Sequence, residues 1–287
     1  MSRKRIFVVF VVLIIVGAGV YFLPNILKKE PVLSPEPDQE ETLKTASIGK
    51  SVEGRDIIRY TYGNGDKHLV FVGAIHGGYE WNSALLSYEL IDYLDENPNV
   101  IPDNIKVTVI PVLNPDGLYK ILGTAGRFNA SSAPPTEQTT SGRFNANEVD
   151  LNRNFDCNWQ ETGTWRGEVV STGTSAFSEP EARAFRDFVL EEKPVTVVMY
   201  HSASNAIYGS ECNEGILPET LAVMSAYSKS TGYPAIESFD AYPVSGDVEG
   251  WLAKMGIPSI TVELATHETV EWEKNKLGIL ALFEHYE

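Results

Sequence analysis

Residues 69–76 read Leu-Val-Phe-Val-Gly-Ala-Ile-His. An unbroken apolar run with β-branched residues has the composition of a strand covered on both faces, and this one stops at a histidine. The event recurs along the chain. Residues 107–113 run into Asn114-Pro115-Asp116-Gly117, residues 195–200 end at His201, and residues 259–264 carry Glu263 near their end. Residues 57–62 supply a fifth predicted strand. Helical spacing fills the intervals: 83–94, with apolar positions at Leu85, Leu86, Leu90, Ile91 and Leu94, then 180–190 after Ser178-Glu179, 217–230, 248–254 and 270–285. Strands alternating with helices specify an α/β fold, a single-domain α/β/α sandwich around a mixed, mostly parallel sheet.

Composition agrees. The chain has 287 residues, 43% hydrophobic and 22% charged, which excludes disordered and fibrous classes. Two cysteines, Cys157 and Cys212, exclude a four-cysteine metal site. The net charge of −16 is unevenly spread: residues 1–29 hold five basic residues and no acid, leaving 18 basic against 39 acidic residues in the remainder. Such a body repels phosphate backbones, so no nucleic-acid partner is expected. Arg3-Lys4-Arg5 precedes an apolar run over residues 6–23, long enough for a membrane span with its basic end in the cytoplasm. Residues 1–29 are therefore expected to be a signal anchor, 30–46 a Pro- and Glu-rich linker, and 47–287 the folded domain. That places the domain outside the cytoplasm, anchored to the membrane or secreted if the segment is cleaved. Export favours a Cys157–Cys212 disulfide over two buried thiols.

Ligands bind beyond the carboxyl ends of strands in open α/β sheets. Here four such ends deliver His76, Asn114 with Asp116, His201 and Glu263. A lone histidine there reads as a satisfied core residue. Two of them, with Glu80 in the first loop, read as a catalytic zinc set of two imidazoles and a carboxylate. Glu80 alone would read as a first-turn acid. His68 and His285 read as surface residues, and His267 as a spare. Residues 142–155, Gly-Arg-Phe-Asn-Ala-Asn-Glu-Val-Asp-Leu-Asn-Arg-Asn-Phe, place Arg143 and Arg153 around a short alternating stretch at 149–151 that reads as a strand. Each arginine offers a planar fork suited to a carboxylate or an oxyanion, or to a simple surface ion pair.

In this order the pieces resemble the zinc carboxypeptidase family. His76 with Glu80-Trp81 is similar to its first metal motif, Asn114–Gly117 to its Asn-Pro-Asp-Gly turn, and residues 143–155 to its substrate-binding stretch. Tyr200-His201-Ser202 resembles the third-ligand motif, Tyr242 through Asp247 and Trp251 the mobile tyrosine segment, and residues 259–264 the strand of the catalytic glutamate. The resemblance covers residues 48–285. It implies one zinc ion held by His76, Glu80 and His201, with Asp150 bonded to His76. Arg143 would polarise the scissile carbonyl, and Asn152 with Arg153 would clamp the terminal carboxylate of a peptide substrate. Tyr242 would close over it, and Glu263 would be the general base toward a zinc-activated water. Asp247 and Glu249 would line the pocket for the C-terminal side chain, selecting Lys, Arg or diaminopimelate, unless they serve only as helix-start acids. The implied activity is a metallocarboxypeptidase acting on peptides, cell-wall stems included. A zinc N-acyl amino acid deacylase and a non-catalytic peptide-binding domain are the alternatives. One departure stands out: three residues, Gly77, Gly78 and Tyr79, separate His76 from Glu80 where the family has two. A bulge at the glycine pair is expected to absorb the extra residue.

Overall fold

A computed structural model describes residues 44–239 and 242–287. The apolar run at 6–23 and the linker up to residue 43 lie outside these. Among the described residues, no helix is long and apolar enough to cross a membrane. In chain order the elements are β1 (Thr45–Lys50), β2 (Asp56–Tyr62), β3 (Lys67–Val72), α1 (Trp81–Glu96), β4 (Ile105–Ile110), α2 (Pro115–Leu122), β5 (Thr162–Trp165), β6 (Glu168–Ser171), α3 (Pro180–Glu192), β7 (Thr196–Ser202), β8 (Ala206–Gly209), β9 (Glu211–Cys212), β10 (Gly215–Ile216), α4 (Pro218–Thr231), β11 (Ala235–Ile236), α5 (Val248–Lys254), β12 (Ser259–Leu264) and α6 (Trp272–Tyr286). β1 starts two residues ahead of the expected boundary at 47, with Thr45 already paired with Tyr60 of β2.

Eight strands form one sheet in the order β1-β2-β4-β3-β7-β12-β8-β11. Its centre, β4-β3-β7-β12, is parallel. The β1–β2, β2–β4 and β12–β8 pairings are antiparallel, so the sheet is mixed. Side-chain alternation sends Leu69 and Phe71 of β3 into a core with Leu86 and Leu90 of α1, Tyr227 of α4 and Leu282 of α6. Val70 and Val72 enter a second core on the other face, with Phe185 of α3 and Trp251 of α5. Helices thus cover both faces, and each large apolar side chain buried this way contributes roughly 1.5–3 kcal/mol.

The strand ends are shorter than the apolar runs. β3 stops at Val72 and β4 at Ile110, although Leu113 still donates to Gly73 O at 3.1 Å and Asn114 to Ala74 O at 3.0 Å. Pro111 has no N–H to offer and Ala74 has φ +48°, so the pleat ends while the chains stay together. A Cβ on Gly73 would lie 2.6 Å from Ser83 O, so glycine lets α1 approach here. Residues 114–117 begin a helix rather than a turn: Asn114 Oδ1 accepts from Gly117 N at 2.8 Å. Residues 149–151 are not a strand. Val149 makes a single bridge to Ser171, and the chain then tightens into a 3₁₀ turn, Leu151–Arg153, as Asp150 accepts from Asn152 N at 3.1 Å. His68, expected at the surface, is buried, because β3 is a central strand covered by Phe188 of α3. His285 is exposed, as expected. Cys157 and Cys212 form a disulfide with Cα atoms 6.3 Å apart, joining the segment after Arg153 to β9.

Candidate active site

The parallel register sets the site's spacing. In β3–β7, Val72 lies beside Met199, and in β7–β12, His201 lies beside Glu263. His76 follows the end of β3, so its imidazole reaches the same edge as His201. The chain then makes a 3₁₀ turn, Gly77–Glu80, that runs straight into α1. Gly77 has φ +44°, and a Cβ there would fall 2.6 Å from Gly142 O. The extra residue between His76 and Glu80 is therefore absorbed by a helical turn, not by a strand bulge. Ser83 fastens the turn by donating to Glu80 O at 2.7 Å and accepting from Ala74 N at 2.9 Å.

His76, Glu80 and His201 are all buried, and a ligand atom from each lies within 4.8 Å of the others. His76 Nδ1 is 2.8 Å from Glu80 Oε1, His201 Nδ1 is 3.1 Å from Glu80 Oε2, and the two Nδ1 atoms are 3.2 Å apart. Each imidazole points its other nitrogen at a second carboxylate: His76 Nε2 lies 3.4 Å from Asp150 Oδ1, and His201 Nε2 lies 3.2 Å from Glu249 Oε1. Glu80 Oε2 and His76 Nε2 are buried without a hydrogen bond. Two buried imidazoles and a carboxylate converging on one point, each imidazole backed by an acid, fit a zinc ion. Burial opposes the charge on Glu80, yet the two histidines hold its pKa well below the ordinary value. Burial likewise lowers the His201 pKa, but Glu80 and Glu249 carry it well above the usual range.

The group opens on a cavity of about 710 Å³, lined by Arg143, Asn152, Arg153, Tyr242, Asp247, Glu249 and Glu263 as well. Asp150 lies behind the cavity with no exposed surface. It holds Arg143, whose Nε and Nη2 donate at 2.9 and 2.8 Å, leaving Nη1 directed toward Glu80 at 3.8 Å. Arg153 Nη1 donates to Asn152 O at 2.6 Å and Nη2 to Thr164 O at 3.3 Å, while its buried Nε has no partner. Asn152 Oδ1 accepts from Val248 N at 2.8 Å. Tyr242 packs its ring 4.8 Å from Phe239.

The two acids of α5 divide their work. Asp247 caps the helix, accepting from Gly250 N at 2.7 Å, and also lines the cavity. Burial, with Glu249 beside it, pushes its pKa up to about 6. Glu249 is committed to His201, to Thr261 Oγ1 at 3.1 Å and to Asn152 Nδ2 at 3.3 Å. Glu263 carries a buried Oε2 with no partner, and burial raises its pKa to about 7. His267 does not join the metal group, but it lines the cavity and packs its ring, tilted by 52°, 4.4 Å from that of Tyr79. Tyr79, Trp165 and Arg166 line it too and were not legible as site residues. Tyr79 is one of the three residues between His76 and Glu80, and that extra length is the one signal that could have found it.

A profile described as zinc carboxypeptidase matches residues 37–275. The chain belongs to the zinc carboxypeptidase family. It is 30% identical over 224 residues to a zinc carboxypeptidase of Simulium vittatum, covering 71% of each chain. To gamma-D-glutamyl-L-diamino acid endopeptidase 1 of Lysinibacillus sphaericus it is 25% identical, over 78% of this chain and 61% of that one. Among solved structures, murein-tripeptide amidase from Escherichia coli O157 matches with TM-score 0.60 and 23% identity, covering 84% of this chain and 90% of that one. Bovine thrombin-activatable fibrinolysis inhibitor matches with TM-score 0.67 and 19% identity, covering 84% and 89%. The two structural likenesses show the shared α/β fold. As a family member the chain is a zinc-dependent hydrolase, and His76, Glu80 and His201 form the group able to take the ion.

Proposed function

We propose that this zinc carboxypeptidase removes a C-terminal residue bearing a positive charge, Lys, Arg or a diamino acid, from peptides with a free terminal carboxylate. The observation that carries the reading is Arg153, buried in the cavity wall with an unsatisfied Nε, in the same cavity as the metal group. A buried guanidinium nitrogen without a partner is costly unless a ligand supplies one, and a carboxylate is its natural complement. Asn152 beside it completes the clamp. Recognition of the chain end makes the reaction exopeptidic.

Zinc on His76, Glu80 and His201 would supply Lewis acidity and bring the pKa of water toward about 7. Asp150 fixes the His76 ring, and Glu249 fixes that of His201. Glu263, with a pKa near 7 and a free oxygen, takes the proton from the attacking water and delivers it to the leaving amine. Arg143, oriented by Asp150, keeps Nη1 for the developing oxyanion. Tyr242 lies where it can cover the bound residue. Asp247 supplies the negative charge of the side-chain pocket, since Glu249 is engaged with His201. The names of two relatives, a diamino-acid endopeptidase and a murein-tripeptide amidase, favour a cell-wall stem peptide as the natural substrate. The Cys157–Cys212 bond suits an oxidising compartment, in keeping with a domain outside the cytoplasm.

The test is a peptide panel on the zinc-loaded full chain, with C-terminal Lys, Arg, diaminopimelate, Phe or Glu, each as free acid and amide, plus N-acyl amino acids. Cleavage confined to free acids, fastest for basic termini, is expected. Equal hydrolysis of the amides would overturn the clamp, and turnover of N-acyl amino acids alone would make the protein a deacylase.

A further inference from the structure

The cavity holds several acids: Glu80 between the two imidazoles, Glu211, Glu263, and Asp247 and Glu249, which sit with Asn152 at the start of α5. It is also lined by Tyr79, Trp165, Arg166 and His267. These four are built into one unit. The Tyr79 ring lies 4.4 Å from His267 and 5.2 Å from Trp165. The Arg166 guanidinium lies over both rings, 5.3 Å from Trp165 and 5.8 Å from Tyr79. The Arg143 guanidinium lies 4.6 Å from Trp165.

The three cavity arginines differ in what they have left to give. Arg143 is bonded twice to Asp150, and Arg153 donates to two backbone carbonyls. Arg166 is exposed, and among the described residues no carboxylate pairs with it. In a chain of net charge −16, a cation held over a cavity by two aromatic rings and, among the described residues, by no acid is available to a ligand. The rings themselves are occupied: Trp165 meets Arg143, Arg166 and Tyr79, and Tyr79 meets His267 and Arg166. They are therefore poor platforms for stacking a sugar or an aromatic side chain, and the guanidinium is the free recognition element.

Its position fixes which part of a substrate it meets. β5 runs along the cavity, with Thr164 O on Arg153 and the next residue, Trp165, on Arg143 and Tyr79. A peptide whose terminal carboxylate lay at Arg153 and whose chain followed β5 past Arg143 would present the acyl side of the bond to be cut to Tyr79 and Arg166.

We propose that Tyr79, Trp165, Arg166 and His267 form a subsite that selects an acidic group on the acyl side, adjacent to the scissile bond: the side chain of Asp or Glu, or the α-carboxylate of a γ-linked glutamyl residue. The preferred substrate is then two-signed, a carboxylate before the bond and an amine-bearing residue after it. The proposal rests on the carboxypeptidase reading above.

The experiment measures kcat/KM for zinc-loaded full chain on peptide pairs ending in Lys. The pairs differ only in Glu against Gln before the bond, or in a γ-linked glutamyl residue with its α-carboxylate free against amidated. The acid is expected to be favoured about fivefold to tenfold, the scale of a well-held ion pair near a surface, and the preference is expected to shrink in 1 M salt. Arg166→Gln should bring the acid-to-amide ratio close to one, and Arg166→Glu should invert it, with zinc content unchanged as the check on folding. Equal rates on both members of a pair with the native chain, or a ratio that survives Arg166→Gln, would overturn the subsite while leaving the carboxypeptidase reading intact. A panel left wholly uncut by the native chain would overturn both.

Discussion

His68 lies at the amino end of β3 and His76 just beyond its carboxyl end, and the two are equally buried, with 4% of each exposed. At the amino end, His68 meets Thr108 Oγ1 at 2.8 Å, with Phe188 across its ring and Glu192 3.6 Å away. Burial, with Lys106 nearby, lowers its pKa to about 4, so it is a neutral core residue. Beyond the carboxyl end, His76 faces Glu80 and Asp150 on its two nitrogens and a second imidazole at 3.2 Å. Burial does not distinguish a metal ligand from a packed histidine. What distinguishes it is the company of carboxylates and of another imidazole, and among the described residues that company assembles at one end of the sheet only.

Removing the ring at either end separates the two histidines most sharply. His76→Ala should abolish stoichiometric zinc in metal analysis and all measurable peptidase activity, whereas His68→Gln should retain both. Zinc retained in His76→Ala would place the metal elsewhere. Glu263→Gln tests whether the same end also holds the base: zinc should remain, and kcat should fall about 10²–10⁴-fold. Native-like turnover in that variant would assign proton transfer to another group.

The other end is tested by acid. The folded His68 pKa of about 4 lies below the ordinary 6.5. The unfolded chain therefore takes up the proton first, and stability falls as pH drops from 6.5 toward 4. A shift of that size corresponds to about 3 kcal/mol. Urea midpoints should show the native chain losing roughly that much more than His68→Gln over this interval. Parallel curves would mean that His68 is protonated in the fold. The smallest expected effect concerns the second carboxylate of the metal end. Glu249→Gln should weaken zinc about tenfold in chelator competition, the lower end of the range for a residue that orients a ligand, and unchanged affinity would leave Glu249 a pocket residue alone.

Much of this was legible in the chain. The four strand ends carrying His76, Asn114, His201 and Glu263 follow from apolar runs that stop at polar residues, and α5 and β12 occupy the residues expected of them, 248–254 and 259–264. Local pattern served there because β3, β4 and β7 are buried on both faces over most of their length. It failed where position in the sheet decides. His68 looked exposed because it follows a turn, but β3 is central. Residues 149–151 alternate like a strand, yet their backbone closes into a turn around Asp150. The β5–β6 hairpin has four-residue strands in a polar stretch, too short to show a period, so Trp165 and Arg166 gave no sign of reaching the cavity. Nor does anything local say that Glu249 turns toward His201, 48 residues away in sequence.

The bond between Cys157 and Cys212 closes a loop of 55 residues that begins just past Arg153. Around the first cysteine, Gly246 N donates to Cys157 O at 2.7 Å and Phe155 N to Gly246 O at 2.8 Å, so the bond also anchors the backbone that leads from Tyr242 into α5. Closing a loop of that length lowers the entropy of the unfolded chain by an amount worth about 4 kcal/mol at 25 °C in the polymer picture. A thiol-reduced copy would thus keep its two-faced sheet with a much thinner margin against unfolding, and would loosen first along the segment that leads from Tyr242 into α5.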